Sequence, residues 1–488
     1  MIENVILITI DSLRADHLGC YGYHKKITPK LDELAKNGII FTHAFSNGPQ
    51  TTASFPSILT STYPLMYEMS KQQLSKHRLM IQQLSKHRIM ISEMLREVGY
   101  STAAVNCNPY LSSDYGYNRG FEYFRDFFDD YIGMRIQEFI KSGNRAKGLI
   151  SIMEKRIKKV FSDSSIMYKF LRRFHSEIMS RYQEKKYLEI SIEVKNINAE
   201  VINKEVISWL KEKGNNKFFL WIHYMDVHFP YLPPSKYLNY NKRKVISVNR
   251  KIIHQYKIKD NLTKISKSEL KQTIELYDAE IRYVDDSVAM ILDEVEKLGL
   301  QANTLIILTA DHGDEFLEHG DTFHFPKLYD ELLRVPLIFY APELDENKVI
   351  DDLVSLLDLS PTILDILDIE KPKKWLGKSL LPLIKGDERR TNNAVISEVS
   401  CSKGKRKISY RMKKWKLIWD EERDFYELYD LEKDNKEIKN IAEEKPDIVK
   451  YLSSKIKEHV SMENKTRKQA EERRITGMVE KLKTGGGI

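Results

Sequence analysis

Short runs of consecutive apolar residues alternate along this chain with longer stretches in which apolar positions recur every three or four residues. The runs are Val5 to Ile10, Phe218 to Ile222 and Leu305 to Thr309, and the periodic stretches include Thr28 to Asn37 and Glu275 to Leu298. Uninterrupted apolar strands separated by amphipathic helices predict an α/β fold on a mainly parallel sheet, because such strands are covered on both faces. Chemical groups in these sheets gather at the carboxyl ends of the strands. Asp11 and His223 directly follow the first two runs, and Asp311 comes two residues after the third. Three distant stretches are therefore expected to deliver polar groups to one edge.

At 488 residues the chain exceeds one minimal domain. The pattern predicts a catalytic domain over 1–385, a small antiparallel α+β subdomain over 386–460, and a charged helical tail over 461–488. Strands at Ala394 to Val399 and Trp415 to Asp420 define the subdomain. Two insertions are expected in the large domain: 131–195, basic, helical and free of proline, and 236–268, lysine-rich and irregular. QQLSKHRLMI at 72–81 is repeated with one change at 82–91. Two copies are too few for a solenoid, so this reads as a duplication lengthening a surface segment ahead of a Ser92 to Val98 helix. His77 and His87 are then twins from copying and not metal ligands.

The net charge of +8 is uneven, since residues 141–190 hold 13 Lys plus Arg against 5 Asp plus Glu. A solvated helical face accounts for this better than a nucleic-acid surface, although contact with an anionic polymer fits the same charge. The basic run Lys403 to Lys416 is read with the same reserve. No apolar run has the length of a membrane helix. Cys20, Cys107 and Cys401 are too few and scattered for a disulfide framework, which favours a cytoplasmic compartment.

The run TADHGDEFLEHG, Thr309 to Gly320, places Asp311 and His312 directly after a strand. A carboxylate and an imidazole side by side form half of a divalent-cation site. Asp11 ends another apolar strand, and a buried carboxylate without a partner is costly. Their convergence predicts a metal. The stretch NGPQTTASFPSILTSTYP, Asn47 to Pro64, is dense in hydroxyls, most of them expected to cap or support a helix. One hydroxyl beside a cation would instead become a nucleophile. HYMDVHFPY, His223 to Tyr231, adds two imidazoles, and His319 and His324 follow the Asp-His pair.

In order along the chain, DSLRADHLGCYGY, TPKLDELAKNGIIFTHAF, LREVGYSTAAV, DAEIRYVDD, TADHGD, LYDELLRVPLIFYAP, SLLDLSPTILDIL and YELYDLEKDNKEIKNIA resemble the sulfatase family of the alkaline phosphatase superfamily. The resemblance implies an alkaline phosphatase-like fold, with Asp11, Asp311 and His312 as metal ligands and a nucleophile completing the set. Family members carry a Cys or Ser, oxidised to formylglycine, in a Cys/Ser-x-Pro-x-Arg motif. Alignment on Leu59 to Pro64 puts Thr51 at that position, Ser54 at its fourth place and Phe55 where Arg belongs. Threonine cannot give an aldehyde, because its β-carbon already bears a methyl. A second register makes Ser54 the nucleophile. Thr51 is favoured, because Thr-x-x-Ser-x-Pro also resembles the family's phosphoethanolamine transferases, which use an unmodified threonine. Ser12 replaces the second Asp of the family's Asp-Asp pair, and Asn106-Cys107-Asn108 replaces the Lys-x-His that grips sulfate.

The expected enzyme is a metal-dependent hydrolase of sulfate or phosphate esters. One divalent cation would be held by Asp11, Asp311, His312 and Thr51, zinc or manganese being favoured and calcium the alternative. His228 and His324 would hold the transferred group and protonate the leaving oxygen, followed by His223. Asn106, Asn108 and Ser54 would contact substrate, and His319 would support the site from outside. The alternatives are a phosphodiesterase or phosphonate hydrolase, a transferase of phospho-substituents, and a decayed binding protein.

Overall fold

The computed structural model describes residues 2–67, 84–127, 197–213, 216–238, 240–257, 265–344, 347–387, 393–401 and 404–484. The expected 131–195 insertion, His77 and the Gly485 to Gly487 end lie outside them.

The large sheet uses β1 (Asn4–Ile10), β2 (Ile39–Phe45), β3 (Ser101–Val105), β4 (Tyr123–Arg125), β5 (Phe218–Tyr224) and β6 (Thr304–Ala310). A two-stranded ribbon, β7 (Glu315–Phe316) and β8 (Thr322–Phe323), follows; then β9 (Arg334–Val335), β10 (Leu337–Tyr340) and β11 (Lys348–Ser355) complete the large sheet. Its order is β11-β2-β10-β6-β1-β5-β3-β4, with β9 beside β2. The central strands β6, β1, β5 and β3 are parallel, as expected, whereas β10 runs antiparallel between β6 and β2. Every residue of β1, β5 and β6 is buried, which is why these segments read as continuous apolar runs.

The helix Lys267–Lys297 begins eight residues before the expected start at Glu275. Its first turn is charged and carries little apolar period. Ser266 and Glu269 nevertheless form a reciprocal capping box, a local signal that does not depend on burial. The segment 236–268 is not irregular, because Lys242–Lys257 is helical. Val245, Val248, Ile252 and Ile253 bury one stripe of it, and its many lysines and arginines obscured that period.

The C-terminal unit is a four-stranded antiparallel sheet of β12 (Val395–Ser400), β13 (Arg406–Arg411), β14 (Trp415–Asp420) and β15 (Phe425–Asp430). Alternation splits its two faces. Ile408, Leu417 and Leu428 pack with Leu452 and Ile456 of the last helix, while Val399, Ile418 and Tyr429 pack on Phe45, Leu328, Leu333 and Leu353 of the large domain. The last helix runs without a break over Pro446–Thr484, so a boundary at 460/461 falls inside one continuous element. Lys416, inside the basic run read as solvated, is fully buried. Among the described residues no helix is long and apolar enough to cross a membrane.

Candidate active site

Ile10 of β1 pairs with Ala310 of β6, so Asp11 and Asp311 are the next residues on adjacent parallel strands. Sheet register alone thus sets the two carboxylates side by side. His223 comes from β5 on the other flank of β1, where it pairs with Thr9, and Asn106 to Asn108 follow β3 beyond it. Four neighbouring strands feed one edge. Ser12 takes a left-handed φ of 59° immediately after Asp11, an uncommon conformation for a residue with a side chain. That turn points the Ser12 amide at Asp311 Oδ1 over 3.2 Å, and Tyr277 holds the Ser12 carbonyl through its hydroxyl at 2.7 Å.

The helix Thr51–Thr60 starts at Thr51, after an extended Gln50, and is buried along nearly its whole length. Gly48 allows the loop to close onto this helix, since a Cβ there would stand 2.4 Å from that of Ala53. Thr51 does not cap the helix. Its Oγ1 lies 3.5 Å from Asp11 Oδ2 and 3.4 Å from His312 Nε2. Ser54 instead turns its hydroxyl back to the Thr51 carbonyl at 3.3 Å. The two candidate nucleophiles are thereby separated: Thr51 borders the carboxylates and Ser54 bonds within its own helix.

His312 Nε2 stands 3.4 Å from Asp311 Oδ2 and 3.7 Å from Asp11 Oδ1, and its Nδ1 meets the Gly313 carbonyl at 2.9 Å. His223 Nε2 faces Asp11 Oδ2 at 3.4 Å, while its Nδ1 is held by the Thr9 hydroxyl at 2.9 Å. Asn108 Nδ2 donates to Asp11 Oδ2 at 2.8 Å, so this residue, expected to bind substrate, steadies a carboxylate. Asn106 is buried with neither side-chain polar atom hydrogen-bonded. The rings of His312 and His324 stand 4.5 Å apart and those of His324 and His228 4.9 Å apart, forming a row of imidazoles. His319 lies against other partners, stacked on Tyr329 with its Nε2 3.4 Å from Glu331. His87, in the second copy of the repeat, stacks on Tyr67.

Burial drives Asp311 up to about 8, with the Asp11 charge adding to it. Burial pushes Asp11 the same way, but His228, His223 and His312 outweigh it and hold Asp11 well below the carboxylate range. Burial lowers His312 and His228 each to about 4. His324 moves the other way: burial opposes its charge, yet the Asp314 carboxylate, 2.7 Å from its Nδ1, raises it.

Residues 3–369 match the family model described as Sulfatase, and residues 318–465 match that described as N-sulphoglucosamine sulphohydrolase, C-terminal. The chain belongs to the sulfatase family. It is 25% identical to an arylsulfatase of Clostridium perfringens, over 93% of both chains. Against arylsulfatase K of Bos taurus it is 26% identical, and there the match spans about half of each protein, 51% of this chain and 53% of the relative. The fold is shared with the phosphonate monoester hydrolase of Agrobacterium radiobacter, with TM-score 0.67, 17% identity and coverage of 94% and 96%. It is shared equally with a protein solved in complex with its substrate D-glucosamine-2-N,6-O-disulfate, with TM-score 0.68, 17% identity and coverage of 95% and 99%. The alkaline phosphatase-like architecture expected from the sequence is therefore present in this sulfatase-family chain.

Asp11, Asp311 and His312, all buried, bring one ligand atom each to within 4.8 Å of one another, and buried His312 and Asp314 with half-buried His324 form a second such group. Asp311 Oδ2 and His223 Nε2 are buried and lack hydrogen-bond partners. Oxygen and imidazole donors with unmatched atoms at their centre fit a divalent cation.

Sequence reasoning missed Asp314, which orients His324 and accepts from the Tyr231 hydroxyl at 2.8 Å. It also missed Arg14, which donates to the Asp314 carbonyl at 2.9 Å and pairs with Glu318 at 2.6 Å. Asp314 was visible as the second acid of the Asp-His-Gly-Asp string. Thr9, a hydroxyl inside an otherwise apolar strand, was a signal of the same kind.

Proposed function

We propose that this chain hydrolyses sulfate or phosphate esters through the hydroxyl of Thr51, forming and then breaking a covalent ester on that residue. The observation that carries the reading is the position of Thr51 Oγ1 between Asp11 Oδ2 at 3.5 Å and His312 Nε2 at 3.4 Å. One divalent cation would be held by Asp11, Asp311, His312 and Thr51, and would supply Lewis acidity that favours the ionised hydroxyl. Zinc or manganese suits an imidazole in that set better than calcium does.

Thr51 Oγ1 attacks sulfur or phosphorus in line with the leaving oxygen, and His324 gives that oxygen its proton. His324 is preferred to His228 as the acid, because Asp314 raises its proton affinity whereas burial lowers that of His228. His228, whose proton affinity burial lowers, and His223 remain as partners for the transferred group's oxygens. Water, activated by the imidazole that lost its proton, then releases Thr51 by attack at the same sulfur or phosphorus.

Among the described residues the ion-pair partners of Asp11 and Asp311 are all imidazoles, with no lysine or arginine. Imidazole donors beside those carboxylates suit singly charged esters, namely sulfate monoesters, phosphodiesters and phosphonate monoesters. A phosphodiesterase or phosphonate hydrolase is thus the second reading.

The experiment compares Thr51→Ala, Thr51→Ser and Ser54→Ala on aryl sulfate, aryl phosphate, phosphodiester and phosphonate esters. Thr51→Ala is expected to lose about 10³-fold or more in kcat, Thr51→Ser to keep measurable turnover, and Ser54→Ala to stay within tenfold of the parent, by analogy with nucleophile deletions elsewhere. Full activity in Thr51→Ala, or an aldehyde at Ser54 in the peptide spanning residues 47–64, would overturn the assignment.

A further inference from the structure

Glu398, His459 and Glu463 form a further buried cluster of metal-ligating groups, well separated in sequence from the residues of the candidate active site. Glu398 sits on β12, and His459 and Glu463 are one helical turn apart on the helix Pro446–Thr484, so both helical side chains project toward the same strand. All three residues are buried, and one ligand atom from each lies within 4.8 Å of the other two. His459 Nε2 stands 3.0 Å from Glu398 Oε2 and 3.8 Å from Glu463 Oε1. The outward oxygens are already occupied: Glu398 Oε1 accepts from the Leu65 amide at 2.7 Å, and Glu463 Oε2 accepts from Arg406 at 3.1 Å. These contacts fix the orientation of both carboxylates and turn their remaining oxygens inward. Glu463 Oε1 is buried and meets no donor other than the facing carboxyl of Glu398.

We propose that Glu398, His459 and Glu463 bind a zinc ion that staples the C-terminal helix to the edge of the four-stranded sheet. Ligands at zinc–nitrogen and zinc–oxygen bond lengths in a tetrahedral shell lie about 3.4 Å apart, and the observed separations of 3.0 and 3.8 Å bracket that spacing. One imidazole and two carboxylates match zinc chemistry and leave a fourth position for water. The outer contacts to the Leu65 amide and Arg406 do for these ligands what orienting hydrogen bonds do in known zinc sites. Zinc would also cancel the like-charge repulsion between the two glutamates that face each other across the site. The role proposed for this ion is structural.

Zinc is titrated into the metal-stripped full chain and its Asp311→Asn variant, with bound zinc counted by mass spectrometry and the melting temperature followed. Asp311→Asn is expected to retain one zinc equivalent and a zinc-dependent rise in melting temperature. His459→Gln or Glu463→Gln added to it should abolish both, and each alone should lower the parent's count by one. Cobalt in place of zinc should give the intense visible absorption of a tetrahedral site only while His459 is present. Absence of zinc from the folded Asp311→Asn chain, or an unchanged count after His459→Gln and after Glu463→Gln, overturns the proposal. If one glutamine variant fails to fold, circular dichroism reveals it and the other decides.

Discussion

Asn108 donates from Nδ2 to Asp11 Oδ2 over 2.8 Å, and both residues are buried. This contact gives the carboxylate a fixed neutral donor on the side away from His312. It stands where the family resemblance expects a sulfate-gripping histidine, so the position serves the carboxylate in this structure. Asn108→Ala should weaken divalent-cation binding about 10- to 100-fold, the range found when orienting partners of metal ligands are removed. Asn108→Asp should weaken it further by setting a second negative charge against Asp11. Competition against a chromophoric chelator measures both, and unchanged affinity in Asn108→Ala would show the contact to be incidental.

His324 and Asp314 make a separable prediction. Asp314 raises the proton affinity of His324 through a 2.7 Å contact, so the protonated acid persists to higher pH. Asp314→Asn removes that support, and the alkaline limb of the kcat profile should move to lower pH. His324→Ala should remove the limb and cost about 10²- to 10⁴-fold in kcat, the usual contribution of a general acid. Substrates with good leaving groups need less protonation and should lose least. An alkaline limb left in place in His324→Ala would reassign the proton donor.

The scaffold of this site was legible in sequence because parallel strands buried on both faces announce themselves as unbroken apolar runs, and Asp11 and Asp311 sit directly at their ends. Their registration was not legible, since it rests on the pairing of Ile10 with Ala310 across about 300 residues. Which of Thr51 and Ser54 borders the carboxylates was equally hidden from residue pattern, although the family resemblance favoured Thr51. Both are hydroxyls one helical turn apart, and only packing decides which faces the carboxylates. Asp314 and Thr9 escaped for another reason: each acts through a histidine, and orientation of an imidazole leaves no periodic trace. The Lys242–Lys257 helix was lost because lysines and arginines at six of its sixteen positions masked a narrow apolar stripe.

Lys416 offers a test of how the two units are joined. Its fully buried ammonium lies 2.7 Å from Asp330 Oδ1 of the large domain and 2.7 Å from Glu437 Oε1 of the C-terminal unit. Lys416→Met would leave buried carboxylates short of a partner, although Arg411 still reaches Asp330 at 3.2 Å. Breaking a buried pair from one side costs about 3–5 kcal/mol. Urea unfolding should show that loss, and adding Glu437→Gln to Lys416→Met should recover part of it. A stability change below about 1 kcal/mol would mean that the network relaxes into water.

Glu331 carries a pH dependence of definite sign. Burial, reinforced by Glu437 and Glu318, raises its carboxyl from 4.5 to about 8 in the folded chain. Between those values the folded protein keeps a proton that the unfolded chain releases. Stability from this group is therefore fully present below about 4.5 and is lost as pH rises toward about 8. Glu331→Gln removes the ionisation while keeping the shape and polarity of the side chain. The variant should melt close to the parent at pH 4.5 and should be more stable at pH 8, by about 2 kcal/mol after allowance for relaxation around a side chain near the surface. Thermal unfolding of both proteins at the two pH values measures the difference. Equal melting temperatures at pH 8 would show that Glu331 ionises in the folded chain without cost, with His319, 3.4 Å away, accepting the charge.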